Sequence, residues 1–268
     1  MTREIKIKCA YNSIKSRIPF CPKVAIVIDS DIEDVSDICN IQCVIPYSEI
    51  RGFPNSKAHG EFIFGYVKET PVVIMHGRIH YYENNQMSDV VFPIYLMKLM
   101  GTKILLITNV ARAVNNSFVT DDIMLITDHI SKFVPSCLTG ENGTSFEQYF
   151  SNLNNLYCAE LNTIVRNSAG FLEIELKEGI YIQFAGPEYE TNAEINMSYI
   201  LGADAVGINT ACEAVASNYS GMYTCGISRI LNFHDCMDNR SLSNKKGLVR
   251  FKKLIIESVS NMNNVNHK

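Results

Sequence analysis

Lys23-Val24-Ala25-Ile26-Val27-Ile28 is a short apolar run, rich in β-branched residues, and polar residues follow it from Asp29 onward. A run of this kind is typical of a strand that is buried on both faces of a sheet. Similar runs recur at Phe62–Val67, Thr70–Met75, Lys103–Thr108, Asp122–Thr127, Gly179–Phe184, Ala205–Ile208 and Met222–Ile230. The sequence therefore predicts a sheet built mainly of buried strands.

Stretches with helical periodicity lie between several of these runs. Val90–Met100 carries apolar residues at helical spacing and stops at Gly101, and Lys246–Val259 places its apolar residues on one face. Further helices are predicted at Phe146–Val165, Ala193–Leu201 and Cys212–Asn218. Strands that alternate with helices predict an α/β fold, with a mixed or parallel β-sheet covered by helices on both faces. Because no linker or repeat divides the chain, we expect a single domain over residues 1–268.

Composition excludes several classes of protein. A chain of 268 residues with 47% hydrophobic residues is long and apolar enough for a sizeable core. A net charge of −4 without a basic cluster argues against a nucleic-acid partner. No apolar run reaches the roughly 18 residues of a membrane span, and the amino terminus lacks the apolar segment of a secretory signal. The nine cysteines are scattered without a C-x-x-C pair, which favours reduced thiols in a cytoplasmic protein and predicts no metal site.

The predicted strand Thr70–Met75 leads directly into a segment with two candidate anion ligands, Met75-His76-Gly77-Arg78-Ile79-His80-Tyr81-Tyr82-Glu83. In an extended chain Arg78 and His80 project to the same side. Together they offer a forked donor and an imidazole, which suits an oxyanion such as phosphate. A solvated arginine beside a core histidine is the alternative.

Two further segments follow predicted strands. Ala185-Gly186-Pro187-Glu188-Tyr189-Glu190-Thr191 combines carboxylates, an aromatic ring and a Gly-Pro turn. Glu190 is suited to accept hydrogen bonds from a ring N–H, and Tyr189 is suited to stack on a planar base. Asn232 both donates and accepts, which matches the edge of a 6-oxopurine. Taken singly, the first segment also fits a turn with an acidic rim, and Asn232 also fits a cap or turn residue.

These segments occur in one order together with others, and in that order they resemble the trimeric class of purine nucleoside phosphorylases. The family patterns are a strand followed by G-S-G-L-G, then M-Q-G-R-x-H-x-Y-E-G, T-N-A-A-G-G, G-D-x-M-L-I-x-D-H-I, G-P-x-[FY]-E-T, L-G-A-D-A-V-G-M-S-T and a late T-N. After the first pattern, their counterparts here are Met75–Glu83, Thr108–Asn109, Asp121–Ile130, Gly186–Thr191, Leu201–Thr210 and Asn232. The resemblance runs from about Lys23 to Phe251, nearly the whole chain.

The resemblance implies a nine-stranded mixed sheet with flanking helices, assembled as a homotrimer with sites near the subunit interfaces. It also implies the reversible reaction of a purine nucleoside with phosphate, which yields the free base and ribose 1-phosphate. No cofactor or metal is implied, and inorganic phosphate is the co-substrate. The enzyme has to stabilise charge that develops on the purine and to place an anion beneath the sugar.

The resemblance also implies roles for individual residues. The positions that match phosphate ligands are Ser30, Arg78, His80, Asn209 and Val110. Glu190 and Asn232 match the catalytic pair that holds the purine, with Asn232 stabilising the leaving base. The positions that match nucleoside contacts are Tyr82, Tyr189, Ile208 and Phe150, of which Phe150 matches an aromatic residue from a neighbouring subunit.

The phosphate loop departs most from the family pattern. In place of G-S-G-L-G the chain has Asp29-Ser30-Asp31-Ile32-Glu33, which keeps the serine and loses all three glycines. Glycine lets backbone N–H groups approach an anion closely, whereas carboxylates repel it. One carboxylate about 6 Å away at an effective dielectric constant near 20 costs roughly 3 kcal/mol per phosphate charge.

A second departure is Arg112, which stands where T-N-A-A-G-G has a glycine. One hypothesis is that Arg112 pairs with Asp29, Asp31 or Glu33 and restores the charge balance of the phosphate loop. The alternative is an arginine that points to solvent.

The pattern also changes at other positions. The phosphate-site serine of the family is Asn209 here, and a family histidine is absent at Ala58, with His59 one position out of register. The late histidine that reaches the ribose 5′-hydroxyl has no counterpart, because Lys245, Lys246 and Gly247 stand in that stretch. We therefore expect the 5′ end of the sugar to be read differently or hardly at all.

Three functions remain compatible with the sequence. The first is a working phosphorylase, the second a nucleoside hydrolase that uses water, and the third a non-catalytic purine-binding protein or trimeric partner. Retention of Ser30, Arg78 and His80 favours the first, because water needs no such set of ligands. The acidic loop favours the other two. An asparagine at position 232, where an aspartate would accept from a 6-amino group, favours inosine and guanosine over adenosine.

Overall fold

The computed structural model describes residues 3–28, 32, 34–54, 60–139, 152–232 and 245–265. Within these ranges the centre of the fold is a nine-stranded sheet. The strands are β1 (Val24–Ile28), β2 (Asn40–Pro46), β3 (Glu61–Val67), β4 (Thr70–His76), β5 (Ile104–Ala113), β6 (Ile123–Ile130), β7 (Leu176–Gln183), β8 (Ala205–Gly207) and β9 (Tyr223–Leu231). Their order is β2-β3-β4-β1-β5-β8-β7-β6-β9, with β5 also paired to β9.

The sheet is mixed and part of it closes on itself. β1 is parallel to both β4 and β5, whereas β2, β3 and β4 form an antiparallel meander. β5 pairs with β8 and β9, and β8, β7, β6 and β9 continue the pairing, so these five strands form a closed ring. β5 is long enough to contribute to the open part of the sheet and to the ring. The pairings of the short β8 with β5 and β7 complete this ring among the described strands.

Seven α-helices of the described chain surround the sheet. They are α1 (Arg3–Ile14), α2 (Met87–Val90), α3 (Phe92–Leu99), α4 (Ala159–Phe171), α5 (Asn192–Ile200), α6 (Ala211–Tyr219) and α7 (Lys245–Met262). Ala25 and Val27 of β1 pack in one apolar cluster with residues of α1, α3 and α6. Val24, Ile26 and Ile28 pack in the other, with α4 and α7. Successive side chains of β1 are therefore buried on opposite faces, which explains why its sequence is uniformly apolar.

The predicted α/β fold with a mixed sheet and flanking helices is confirmed, as are all eight predicted strands. Most strand ends shift by up to three residues, whereas β5 ends at Ala113, five residues beyond the expected Thr108. β2 and α1 were not predicted. β2 has mostly exposed residues and a register shift between Ile41 and Cys43, so it lacks the apolar pattern of a central strand. α1 buries only Ile7, Ala10 and Ile14.

One predicted helix is confirmed and another differs at its start. The helix expected at Val90–Met100 is α3, which begins at Phe92 and ends at Leu99, with Pro93 in its first turn. Among the described residues of the helix expected at Phe146–Val165, helical structure begins at Ala159. Tyr157 forms a bridge with Thr224 of β9, which holds the chain before α4 in an extended conformation. Residues 146–151 of the expected helix lie outside the described residues.

No helix within the described ranges combines the length and apolar character that crossing a membrane requires.

Candidate active site

Strand register brings segments that are distant in sequence to one region of the sheet. β1 pairs Val27 with Met75 of β4 and with Ile107 of β5. The chain that follows β4 therefore leaves the sheet beside the middle of β5. β8 runs antiparallel to the last residues of β5, so the residues after Gly207 return toward Asn109. The segments that follow β4 and β8 thus meet at β5.

Arg78 is a buried cation of this region. Its Nε donates to Oε1 of Glu213 at 2.9 Å, and its Nη2 donates to Oε2 of Glu213 at 3.2 Å. Nη2 also donates to the backbone carbonyl of Thr108 at 2.7 Å. Both side chains are almost fully buried, with exposed fractions of 1% and 2%. The alternative of a solvated arginine is therefore wrong, and the guanidinium is held in one orientation.

The sequence did not assign a role to Glu213, which is the principal partner of Arg78. It lies in the first turn of α6, at the end of the stretch that follows β8. A buried carboxylate requires a cation or several donors, so a glutamate within an otherwise apolar helix is the signal that points to such a partner. The partner itself is 135 residues away in the chain and cannot be read from that signal.

Thr210 connects α6 to β5 through a strained backbone. Its φ is +73°, a region that β-branched residues rarely adopt, and it forms the N-cap of α6. Its Oγ1 accepts a hydrogen bond of 2.7 Å from Nδ2 of Asn109. The preceding residue, Asn209, is buried and its backbone N–H donates to the hydroxyl of Tyr181 at 3.4 Å. Strain of this kind is retained at ligand sites more often than elsewhere.

The residues expected to contact the sugar lie together. The rings of His80 and Tyr82 stack with centroids 4.9 Å apart. A Cβ atom added to Gly186 would lie 3.1 Å from Cγ2 of Ile208 and 3.3 Å from Cδ1 of Tyr82, so Gly186 lies against both side chains. Gly186 has φ +66°, which a side chain would strain. The glycine therefore permits the close approach of Tyr82 and Ile208.

Glu190 is paired with Arg112. Nη1 of Arg112 donates to Oε2 of Glu190 at 3.3 Å and to its backbone carbonyl at 3.1 Å. The exposed fraction of each side chain is 8%. The alternative in which Arg112 points to solvent is wrong. The three acidic partners hypothesised for it, Asp29, Asp31 and Glu33, lie outside the described residues.

Asn232 follows β9 at the same end of the sheet. Leu231 of β9 is the register partner of Arg112, and Asn232 is the next residue in the chain. Asn232 therefore follows the strand position that lies beside Arg112. The backbone N–H of Asn232 donates to Oγ1 of Thr120 at 3.1 Å. Glu190 and Asn232, predicted to hold the base, therefore lie on segments that meet through Arg112.

Burial determines the protonation of other groups here. It raises the pKa of the Tyr181 phenol and of the Cys212 thiol well above their ordinary values, so both are neutral at neutral pH. Neither side chain therefore supplies an anionic nucleophile. Among the described residues no group of three or more His, Cys, Asp or Glu side chains is placed to hold a metal ion.

Comparison with known proteins identifies the family. The family model described as the phosphorylase superfamily matches residues 23–260. The chain belongs to the phosphorylase superfamily.

Several purine nucleoside phosphorylases are similar to this member of the superfamily. Purine nucleoside phosphorylase 1 of Geobacillus stearothermophilus is 32% identical over 267 residues, which cover 95% of this chain and 97% of the relative. Purine nucleoside phosphorylase 1 of Bacillus subtilis (strain 168) is 34% identical over 230 residues, 85% of each chain. The crystal structure of Schistosoma mansoni purine nucleoside phosphorylase complexed with a novel monocyclic inhibitor superposes with a TM-score of 0.86 at 28% identity, and the match covers 100% of both chains.

The described part of this phosphorylase-superfamily chain contains nine of the eleven residues for which the resemblance implies a role. Val110 is half-buried on β5 and Tyr189 is exposed on the loop after β7. Ser30 and Phe150 lie outside the described residues, and so do Ala58 and His59.

Proposed function

We propose that this chain is a purine nucleoside phosphorylase, a pentosyltransferase. It catalyses the reversible phosphorolysis of 6-oxopurine ribonucleosides and deoxyribonucleosides such as inosine and guanosine, giving the free base and (deoxy)ribose 1-phosphate. The observation that carries the proposal is the buried Arg78, which Glu213 and the Thr108 carbonyl hold in one orientation. Inorganic phosphate is the co-substrate, and we expect no metal or cofactor to take part.

The phosphate half of the proposed site depends on preorganised donors. Arg78 and His80 are the principal ligands, and Asn209, Ser30 and the backbone of Val110 complete the set. Because Glu213 fixes the guanidinium before any ligand arrives, little reorganisation is needed when phosphate attacks the anomeric carbon. The carboxylate of Glu213 also balances the charge of Arg78, which allows a cation to be buried beneath the sugar.

The base half of the proposed site stabilises the leaving purine. As the N-glycosidic bond breaks, the sugar gains oxocarbenium character and negative charge develops on the base. Glu190 accepts a hydrogen bond from the base N1–H, and the Asn232 amide donates to the ring atoms on which charge accumulates. The contact donated by Asn232 strengthens as charge develops on the base and therefore raises the rate of the chemical step, whereas Glu190 orients the base.

The sugar and the plane of the base are held by the remaining residues. Tyr82 and Ile208 line the sugar, and Tyr189, which is 59% exposed, packs on the base when it is bound. The resemblance matches Phe150 to an aromatic residue contributed by a neighbouring subunit, and we propose that the active form is a homotrimer of single-domain subunits. We place it in the cytoplasm, in purine salvage. Light scattering should give about three times the chain mass of 30.1 kDa.

The direct test is hypoxanthine release from inosine by the purified protein, with and without phosphate. Release that requires phosphate, with formation of ribose 1-phosphate, supports the proposal. Equal release without phosphate would identify a hydrolase. No release from a folded protein would identify a non-catalytic purine-binding protein. The two alternatives are not favoured, because the relative that matches 95% of the chain carries the phosphorylase name.

A further inference from the structure

Arg112 is a residue that the family pattern does not contain. T-N-A-A-G-G has a glycine at this position, whereas here the side chain is an arginine with an exposed fraction of 8%. It lies near the end of β5, between β8, where its register partner is Val206, and β9, where its partner is Leu231. A cation buried between two strands requires a counter-charge, and Glu190 supplies it.

One nitrogen of Arg112 makes two contacts with Glu190. Nη1 donates to the carboxylate oxygen Oε2 at 3.3 Å and to the backbone carbonyl at 3.1 Å. The first contact orients the carboxylate, and the second ties the loop after β7 to β5. Glu190 thus presents a carboxylate of which one oxygen is already engaged by a charged donor.

The hydrogen bond from Arg112 to Oε2 affects which purine bases can hydrogen-bond well to Glu190. Hypoxanthine presents a single donor there, N1–H, and one carboxylate oxygen satisfies it. Guanine presents N1–H and the adjacent 2-amino group, two parallel donors that match both oxygens of a carboxylate. With Arg112 on Oε2, the 2-amino group has to share that oxygen with a charged donor, which weakens its hydrogen bond to the carboxylate and brings two donors side by side.

We infer, on the basis of the function proposed above, that Arg112 is a specificity-determining residue. It engages one oxygen of Glu190 and thereby favours nucleosides whose base has no 2-amino group, inosine over guanosine. The discrimination arises from a repulsive element, the opposition of two donors, as well as from the attraction between Glu190 and N1–H.

The test compares kcat/KM for guanosine and inosine in the same protein. In the wild type, inosine should be preferred. Arg112→Met keeps a long side chain without a donor and should raise the guanosine-to-inosine ratio about tenfold. Arg112→Lys keeps a charged donor near Oε2 and should retain a ratio close to that of the wild type. The matched control is Arg166→Met, because Arg166 pairs with Glu178 on the exposed surface and should leave the ratio unchanged.

The ratio is internal to each variant, so a general loss of activity does not affect it. A wild type that prefers guanosine, or an unchanged ratio in Arg112→Met, would overturn the inference. If Arg112→Met does not fold, Arg112→Gly restores the family residue and is judged by the same ratio. A wild type with no phosphate-dependent release from either nucleoside would instead overturn the proposed function.

Discussion

At the scale of single residues, the described site contains arginines that are each matched by a buried carboxylate. Arg78 pairs with Glu213, Arg112 with Glu190, and Arg229, next to the site on β9, with Asp121. Removing a charge from water costs several kcal/mol, so each arginine tolerates burial only with its partner in place. The pairs therefore determine the orientation of the guanidinium groups, and through them the geometry offered to a ligand.

Glu213→Gln should show how far Arg78 depends on its partner. The substitution keeps the shape of the side chain and leaves a buried cation without its counter-charge. We expect the free energy of unfolding to fall by about 3–5 kcal/mol and the KM for phosphate to rise more than the KM for inosine. Urea unfolding and initial rates at varied phosphate measure the two effects.

The control for this variant is Glu178→Gln, which disrupts the exposed pair with Arg166. It should cost less than about 1 kcal/mol, because solvent screens that pair. Equal losses in the two variants would contradict the importance of the buried Arg78–Glu213 pair.

Asn232→Asp should change the choice of base. A carboxylate at this position accepts a hydrogen bond from a 6-amino group and repels a 6-oxo group. The amide of Asn232 both donates and accepts hydrogen bonds, which matches the edge of a 6-oxopurine. The adenosine-to-inosine ratio of kcat/KM should rise about tenfold. Asn264→Asp, at an exposed position near the end of the described chain, controls for the change in net charge. An unchanged ratio in Asn232→Asp would argue against the role assigned to Asn232.

At the scale of secondary-structure elements, the turn before β6 ties the end of β9 to α7. The Asp121 N–H donates to the carbonyl of Ile230 at 2.8 Å, and Arg229 donates to Oδ1 of Asp121 at 2.8 Å through Nε. Arg229 is fully buried. Asp121 has φ +71°, a conformation that aspartate adopts more readily than most residues. These contacts fix the strand that carries Asn232.

α7 approaches this turn through Gly247. A Cβ atom at position 247 would lie 2.0 Å from Oδ1 of Asp121, a carboxylate that Arg229 prevents from moving away. Gly247 is thus required by packing rather than by its own backbone conformation. Any side chain there has to displace either α7 or the buried ion pair.

Gly247→Ala should therefore destabilise the protein, although glycine-to-alanine replacements inside helices usually stabilise. We expect a loss of about 1–3 kcal/mol from the clash. Gly170→Ala in α4 is the matched control, since nothing lies within 4 Å of a Cβ there. It should be neutral or stabilising by up to about 1 kcal/mol. Thermal unfolding of both variants decides the matter, and a stabilised Gly247→Ala would show that Asp121 is free to move.

At the scale of the whole molecule, stability depends on the closed ring of five strands and on the side chains that pack against these strands. His129 of β6 is half-buried, and its Nδ1 lies 3.0 Å from the hydroxyl of Tyr157. Burial lowers the pKa of His129 below its ordinary value; Lys132 acts in the same direction and Asp128 opposes it. The folded protein therefore binds a proton at His129 less readily than the unfolded chain does.

This difference predicts that stability falls in mild acid. The contribution of neutral His129 is fully present above the unfolded pKa of about 6.5 and is lost as the pH falls through the lower folded pKa. His129→Gln cannot take up the proton, so the decline in the free energy of unfolding below pH 6.5 should be smaller than in the wild type. Urea unfolding between pH 5 and 7.5 measures both slopes. Identical slopes would exclude His129 as a source of the acid sensitivity.

Much of the fold was accessible from the sequence because its signals are local. An apolar run such as Val24–Ile28 identifies a strand buried on both faces, and eight strands were predicted in this way. The edge strand β2 and the helix α1 were not, since each has few buried residues of its own. In the site, Arg78, His80, Tyr82, Ile208, Glu190 and Asn232 were all named from ordered motifs and strand ends.

The sequence by itself determined the class of fold and the residue types of the candidate site. Only the tertiary structure decided which residues form ion pairs, because the partners lie far apart in the chain. Arg78 and Glu213 are separated by 135 residues, and Arg112 and Glu190 by 78. Periodicity reports how a segment is buried, but the counter-charge of a buried cation depends on which strand end the folded sheet places beside it.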